Sequence, residues 1–217
     1  LSERIPLHAE TMAIALERAA HSLRAGGEVL YATDTLYGLG ADAFSNDAVD
    51  RVYAIKGRDE GKPMHCIVAD LGMAGKYAEI SGDARMLAEA FLPGPLTLVL
   101  KKNPGIDGGI ARGMATIGIR IPRHAFSIAL ARRFGKPFTA TSANASGAPD
   151  AFSPDGILAQ LGNKAADIEL VLDSGRLPAS LASTVVDLSG GAPAILREGA
   201  IAAADISGAL RAGARAC

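Results

Sequence analysis

The chain contains no tryptophan, and aromatic residues make up only 5% of its 217 positions. Stacking platforms for single-stranded nucleic acid would have to be built from four tyrosines and six phenylalanines. Net charge is also scarce: 22 Lys+Arg stand against 23 Asp+Glu, leaving −1. Binding nucleic acid by bulk charge needs a clearly basic chain, so that class is excluded, although a local basic patch is not. Two cysteines, Cys66 and Cys217, make no disulfide framework, and no CxxC spacing exists. The four histidines (His8, His21, His65, His124) have no metal-ligand spacing. The one close pair, His65 and Cys66, points to opposite faces of a strand, so no protein-held metal is expected. No signal-type leader and no run of about 18 apolar residues occurs. The expectation is a reduced, cytoplasmic protein with no membrane span.

What is present is apolar and finely punctuated. Hydrophobic residues are 49% of the chain, enough for one well-buried domain over residues 1–217. From about Glu10 to Ala25, Ile14, Leu16, Ala19, Ala20 and Leu23 recur at helical spacing, and Gly26-Gly27 ends the run. Residues 28–33 then read as a buried strand. Asn46 is the expected cap of a second helix through Ile55, with Val49, Val52 and Tyr53 facing inward. Short apolar or β-branched runs follow at 64–69, 96–100, 116–121, 137–141, 168–172, 183–188 and 194–196. Helical patterns at 83–91, 124–134 and 155–161 separate several of them, which argues for an α/β layer structure. The last two strands are close enough for a hairpin, so the sheet is expected to be mixed. Residues 103–113 and 148–154 read as loops, and no repeat or linker divides the chain.

Two familiar nucleotide motifs are near misses. Gly57 to Lys62 has three residues between its glycines rather than the four of a P-loop. Pro63 then stands where Ser or Thr should bind magnesium, and it blocks the helix start. Gly38-Leu39-Gly40 with Ala43 fits a loose dinucleotide pattern, but Asp34-Thr35 separates it from the strand, so the glycines read as a tight turn. No GxSxG elbow and no paired hydrolytic carboxylates stand out.

Four segments combine basic, hydroxyl and glycine residues near strand ends, where α/β proteins place ligands. They are Thr33 to Gly40, Lys56 to Pro63, Thr116 to Pro122 and Thr141 to Gly147. A fifth joins Ser183-Thr184 to Leu196-Arg197 and Gly199. Singly, each has a plain explanation. Lys56, Arg58 and Lys62 suit a solvated helix end, and Thr141 to Ser146 suits a hydrogen-bonded turn. Arg120 is harder to explain so. It lies in an apolar strand, where a buried guanidinium needs an anion, either a protein carboxylate such as Asp187 or a ligand. Thr116 and Arg120 share one face with Gly118, whose missing side chain leaves space above the sheet.

In order, these segments, with Phe91 to Thr97 and Ser183 to Asp187, resemble the YrdC-like family from about Gly27 to Gly199. The pairs Lys56/Arg58 and Ser142/Asn144 match its characteristic signature. The resemblance implies an open, twisted mixed α/β sheet flanked by helices, with a concave basic cleft. It also implies threonylcarbamoyl-AMP synthesis from L-threonine, bicarbonate or CO2, and ATP, for a threonylcarbamoyl modification of tRNA. The implied catalytic residues are Lys56, Arg58, Ser142 and Asn144. ATP would be held by Arg58, Lys62, Thr116, Ser142, Asn144, Ser153 and Arg197. Threonine would be held by Thr35, Ile67, Arg120, Ala140 and Ser183. Mg²⁺ would accompany ATP, and tRNA and other tRNA-modification proteins are the implied partners. Two alternatives remain open at this point: another acyl or carbamoyl acceptor, or an RNA-binding module using the same cleft.

The chain departs from the family pattern in three places. Ile67 stands where some members carry a histidine that contacts threonine. No proline follows Arg58, and the loop before Ser153-Pro154 is longer than usual. Only about 18 residues follow Gly199, so no second domain is expected.

Overall fold

A computed structural model describes residues 2–59 and 62–214, with the side chains of 213 and 214 left out. Gly61 of the Lys56–Pro63 segment and Cys217 lie outside the described residues. The strands are β1 (Glu3–Pro6), β2 (Val29–Ala32), β3 (Tyr37–Gly40), β4 (His65–Ile67) and β5 (Leu96–Lys101), followed by β6 (Thr116–Arg120), β7 (Phe138–Ser142), β8 (Leu170–Asp173), β9 (Thr184–Asp187) and β10 (Ala194–Arg197). The helices are α1 (Met12–Ala25), α2 (Asn46–Lys56), α3 (Leu71–Ala74) and α4 (Gly82–Phe91), with α5 (Ala125–Phe134), α6 (Pro154–Leu161) and α7 (Ala203–Ala214).

The strands form one open sheet in the order β1-β8-β2-β3-β7-β4-β6-β5-β9-β10. It is mixed, as expected. β4 runs parallel to β6 and β5 to β9, while β7 is antiparallel to both β3 and β4. The terminal pair β9–β10 is the antiparallel hairpin that the spacing implied.

Each face of the sheet has its own apolar cluster. On one face Tyr31, Ile67, Phe138 and Leu170 pack against Ala15, Ala19 and Leu23 of α1 and Phe126 and Leu130 of α5. On the other, Leu30, Leu39, Cys66, Leu98, Ile119 and Val186 meet Val49 and Val52 of α2, Leu87 of α4, Ile157 of α6 and Ile206 of α7. Burial on this scale, at about 25 cal/mol per Å² of apolar surface, is the main force holding the layers together. Helices α1 and α5 cover their face only as far as β4. Beyond it, the same side of β6, β5 and β9 carries Thr116, Gly118, Arg120, Thr97, Val99, Val185 and Asp187, which line open cavities instead.

Several local readings are corrected. Ile14 does not face inward: it is 62% exposed, and Ala15 takes the buried position beside Ala19 and Ala20. The cap of α2 is Ser45, whose side chain accepts from the Ala48 amide. Asn46 instead uses its Oδ1 to accept the Gly109 amide at 2.6 Å, tying down the glycine-rich loop. Gly38 and Gly40 are not a turn; they lie in β3, antiparallel to β2. A Cβ at Gly38 would sit 2.7 Å from Cζ of Tyr31, so the glycines exist to let that ring lie across the strand. Strand β1 and helices α3 and α7 were not foreseen. β1 has four residues and one buried side chain, Ile5, too few to show a period, and α7 is amphipathic but built largely of alanine and glycine, which mark its apolar face weakly. No helix among the described residues is long and apolar enough to cross a membrane.

Candidate functional site

A cavity of about 250 Å³ opens on the helix-free part of the sheet. Its wall includes Thr35, Ile67, Arg120, Ala140 and Ser183, the whole set expected for threonine. It also includes Arg58, Ser142 and Arg197 from the set expected for ATP. A second recess of about 310 Å³ adjoins it and shares Pro63, Met64, His65 and Arg197. Thr116 lines this second recess, with Val99, Ile110, Met114, Val185, Asp187 and Leu196.

Arg120 is buried, and a carboxylate does meet it. The partner is Asp34 at 2.5 Å, not Asp187, which instead accepts from Ser189. The turn between β2 and β3 brings Asp34 there. Thr33 Oγ1 accepts the amides of Thr35 and Leu36, and this tight turn aims Asp34 and Thr35 together at β6. Thr35 Oγ1 accepts from Arg120 Nη1 at 2.9 Å, and the Gly94 carbonyl of the Phe91–Thr97 segment accepts from Nε at 3.3 Å. Burial pushes Arg120 down from its ordinary value, while the Asp34 charge opposes that shift. Three of its five donors are thus used from inside the protein, leaving two for a ligand.

Lys56, at the end of α2, is buried and does not reach the cavity. Its ammonium donates to the carbonyls of Ser142 and Asn144, the latter at 2.7 Å, so it grips the loop after β7 from beneath. Burial, with help from Arg58, lowers its pKa to about 8. Asn144 is turned inward too: its Oδ1 accepts from Ser142 Oγ at 2.5 Å and its Nδ2 donates to Ala148 O. Lys56 and Asn144, one from each signature pair, therefore shape the loop that presents Ser142. Ser153 N-caps α6 by accepting from Gly156 N, and neither it nor Lys62 lines either cavity.

Arg58 and Arg197 stand opposite this loop. Arg58 donates to Pro63 O at 2.9 Å and Thr141 Oγ1 at 3.3 Å, and its Nε is buried without a partner. Arg197 donates to Ser183 O at 2.8 Å, and Ser183 Oγ lies 2.9 Å from Thr97 Oγ1. Among the described residues neither arginine forms an ion pair with a carboxylate, whereas Arg120 does. Guanidinium groups held by carbonyl and hydroxyl oxygens rather than by carboxylates favour a polyanion. Asp150 is the one carboxylate lining the main cavity. No group of three or more His, Cys, Asp or Glu side chains placed to hold a metal occurs among the described residues.

His65 was passed over as a site residue because only its pairing with Cys66 was weighed. The two do point to opposite faces, and the face that His65 takes is that of the cleft. Its ring lies across Gly118: a Cβ there would be 2.2 Å from His65 Cδ2. The space above Gly118 is therefore filled by an imidazole, not left free as the sequence suggested. Burial, then Arg197, Arg58 and Arg120, lower its pKa to about 4, so it is neutral near pH 7.

Residues 21–199 match the family model Sua5_yciO_yrdC, described as telomere recombination. The chain is 37% identical over 184 residues to threonylcarbamoyl-AMP synthase of Pyrococcus abyssi (strain GE5 / Orsay), covering 84% of this chain and 53% of that protein. It is 37% identical over 181 residues to threonylcarbamoyl-AMP synthase of Mus musculus, covering 81% and 63%. The crystal structure of P. abyssi Sua5 complexed with L-threonine superposes with a TM-score of 0.86 at 33% identity, covering 96% of this chain and 60% of that one. The chain thus spans between about half and two thirds of the length of these relatives. With a match across most of its length and a shared fold, the chain belongs to the Sua5/YciO/YrdC family.

Proposed function

We propose that this chain forms L-threonylcarbamoyl-AMP and pyrophosphate from L-threonine, bicarbonate or CO2, and ATP, as a step toward threonylcarbamoyladenosine in tRNA. The observation that carries the reading is the division of one cleft into two halves. One half holds a buried, already paired Arg120 beside Thr35 and Ser183. The other holds two arginines that, among the described residues, form no ion pair with a carboxylate. The first suits a small zwitterion and the second a triphosphate. The relatives named for this synthase, and the Sua5 structure with L-threonine, support the same activity.

In this reading the two remaining donors of Arg120 take the threonine carboxylate, with the hydroxyls of Thr35 and Ser183 and the backbone of Ala140 around it, and Ile67 packs on its side chain. Arg58, Arg197, Thr116 and Ser142 contact the nucleotide, while Lys56 and Asn144 act through the loop they hold. Threonine nitrogen bonds to CO2 to give a carbamate. A carbamate oxygen then attacks the α-phosphorus, and the bond to the bridging oxygen breaks as pyrophosphate leaves. The arginines neutralise charge that builds on the phosphates, and the shared cleft supplies orientation. Mg²⁺ would arrive with ATP, held by phosphate oxygens and water, since a single carboxylate, Asp150, lines the main cavity. Pyrophosphate release, measured with threonine and bicarbonate omitted in turn, tests the reading. Turnover that persists without either one would replace it with a different acceptor.

A further inference from the structure

The sheet register orders the cleft into rungs. Ile67 pairs with Arg120 on one rung. Two residues back along β4, on the same face, His65 pairs with Gly118 on one side and Ala140 on the other. One same-face step further along β6 and β7 come Thr116 and Ser142. Each step of two residues spans roughly 6.6 Å. His65 therefore stands midway between the rung of Arg120 and the rung of Thr116 and Ser142, and it lines both cavities. In the synthase reading, that midpoint lies between the threonine carboxylate at Arg120 and the nucleotide beside Ser142.

The other polar groups at this point cannot accept a proton. Arg58, Arg120 and Arg197 are cationic donors, and Thr35, Ser142 and Ser183 carry hydroxyls. Asp34 is occupied by Arg120. Asp150 shares the main cavity wall but acts on Arg197 and Lys56, and Asp187 lines the second recess, where it accepts from Ser189. His65 alone offers a nitrogen lone pair, and among the described residues neither ring nitrogen has a hydrogen-bond partner.

We propose that His65 is a catalytic residue of this cleft, the base that takes the proton threonine's nitrogen loses as it bonds to carbon dioxide. The inference rests on the synthase reading above. Threonine as its free amine attacks CO2: the nitrogen lone pair forms the N–C bond, and one C=O pair moves onto oxygen. The N–H proton passes to His65, leaving a carbamate and an imidazolium, which later returns the proton to water. Burial, and then the flanking arginines, keep the ring unprotonated before substrates bind. A triphosphate offsets the charges of Arg58 and Arg197 and so lifts the part of that restraint that the arginines impose. Gly118 has its place in the same account, since only a residue without Cβ leaves the ring its seat.

The test compares wild type, His65→Ala, His65→Gln and Gly118→Ala in threonylcarbamoyl-AMP formation, with calorimetric affinities for threonine and an ATP analogue. At about pH 7 both His65 variants should lose kcat by on the order of 10²-fold with both affinities kept. The deficit should narrow toward about pH 9 in excess bicarbonate, where carbamate forms unaided, and added imidazole should restore His65→Ala. Gly118→Ala should reproduce the defect, yet cost nothing further in a His65→Ala background. Near-wild-type kcat in His65→Ala overturns the proposal. So does a deficit that neither pH nor imidazole moves, which would make the ring a shape element only. Loss of threonine dependence in the wild type would instead remove the synthase reading, and this inference with it.

Discussion

Arg120 and Asp34 form a largely buried ion pair at 2.5 Å, joining the end of β6 to the turn between β2 and β3 across 86 residues of chain. A buried guanidinium and a buried carboxylate each lose hydration, and their mutual attraction together with the Thr35 and Gly94 contacts offsets that loss. The pair thus sets the position of the two donors that still face the cleft.

Replacing Arg120 by Lys keeps the charge beside Asp34 but removes the planar fork. Threonine affinity should fall by roughly tenfold or more, while affinity for an ATP analogue stays close to wild type. Calorimetric titration with each ligand separately checks this. Unchanged threonine binding, or selective loss of nucleotide binding, would put Arg120 in the wrong half of the cleft.

Lys56 and Ser142 should fail differently. Lys56→Met deletes the ammonium that holds the Ser142 and Asn144 carbonyls, each bond being worth about 1.5–3 kcal/mol. It should lower both urea-unfolding stability and kcat/KM, the latter by roughly 10–1000-fold. Ser142→Ala should lower kcat/KM in the same range with stability almost unchanged, because its hydroxyl bonds only Asn144 within the protein. Equal stability in the two variants would mean that Lys56 does not hold the loop.

Eight of the ten strands and several helix ends could be read from the sequence, and the five residues assigned to threonine do share one cavity wall. Apolar runs bounded by glycine and polar residues report burial directly, and ordered motifs report the cleft. What could not be read depended on contacts distant in the chain. Asp34 could not be chosen over Asp187, because the turn that delivers it is set by Thr33. Gly38 looked like a turn because its partner, the Tyr31 ring, sits across a hairpin. His65 was invisible as a cleft residue because its neighbour Gly118 lies 53 positions on, in β6.

His65 also makes stability depend on pH. Its folded pKa of about 4 lies below the usual value near 6.5, so between these limits the unfolded chain binds the extra proton. Stability attributable to the ring is therefore full above about pH 6.5 and lost as pH falls toward 4. The loss should be about 1–3 kcal/mol, since the ring is only partly covered. Urea unfolding of wild type and His65→Gln at neutral and acid pH isolates this ring, because Glu28 and His124 are common to both. Parallel acid destabilisation of the two proteins would contradict the shift.

Gly199 closes the Leu196–Gly199 segment for a steric reason. A Cβ there would lie 2.2 Å from the Ala182 carbonyl oxygen, which is backbone and cannot swing aside. Gly199→Ala should therefore push β10 away from Ser183, costing about 1–3 kcal/mol and loosening Arg197 from the Ser183 carbonyl. Affinity for an ATP analogue should fall more than affinity for threonine. Equal affinities for both in the variant and the wild type would show that the hairpin tolerates the methyl.

Helices α1 and α5 stop covering their face of the sheet at β4, so β6, β5 and β9 lack a layer that most of the sheet has. A bound ligand occupies the place of that layer and completes the packing. Small molecules that bind only the folded chain stabilise it by about 2.7 kcal/mol at a hundredfold excess over Kd. In the proposed reading, the folded lifetime of this chain should thus lengthen as the concentration of its ligands rises.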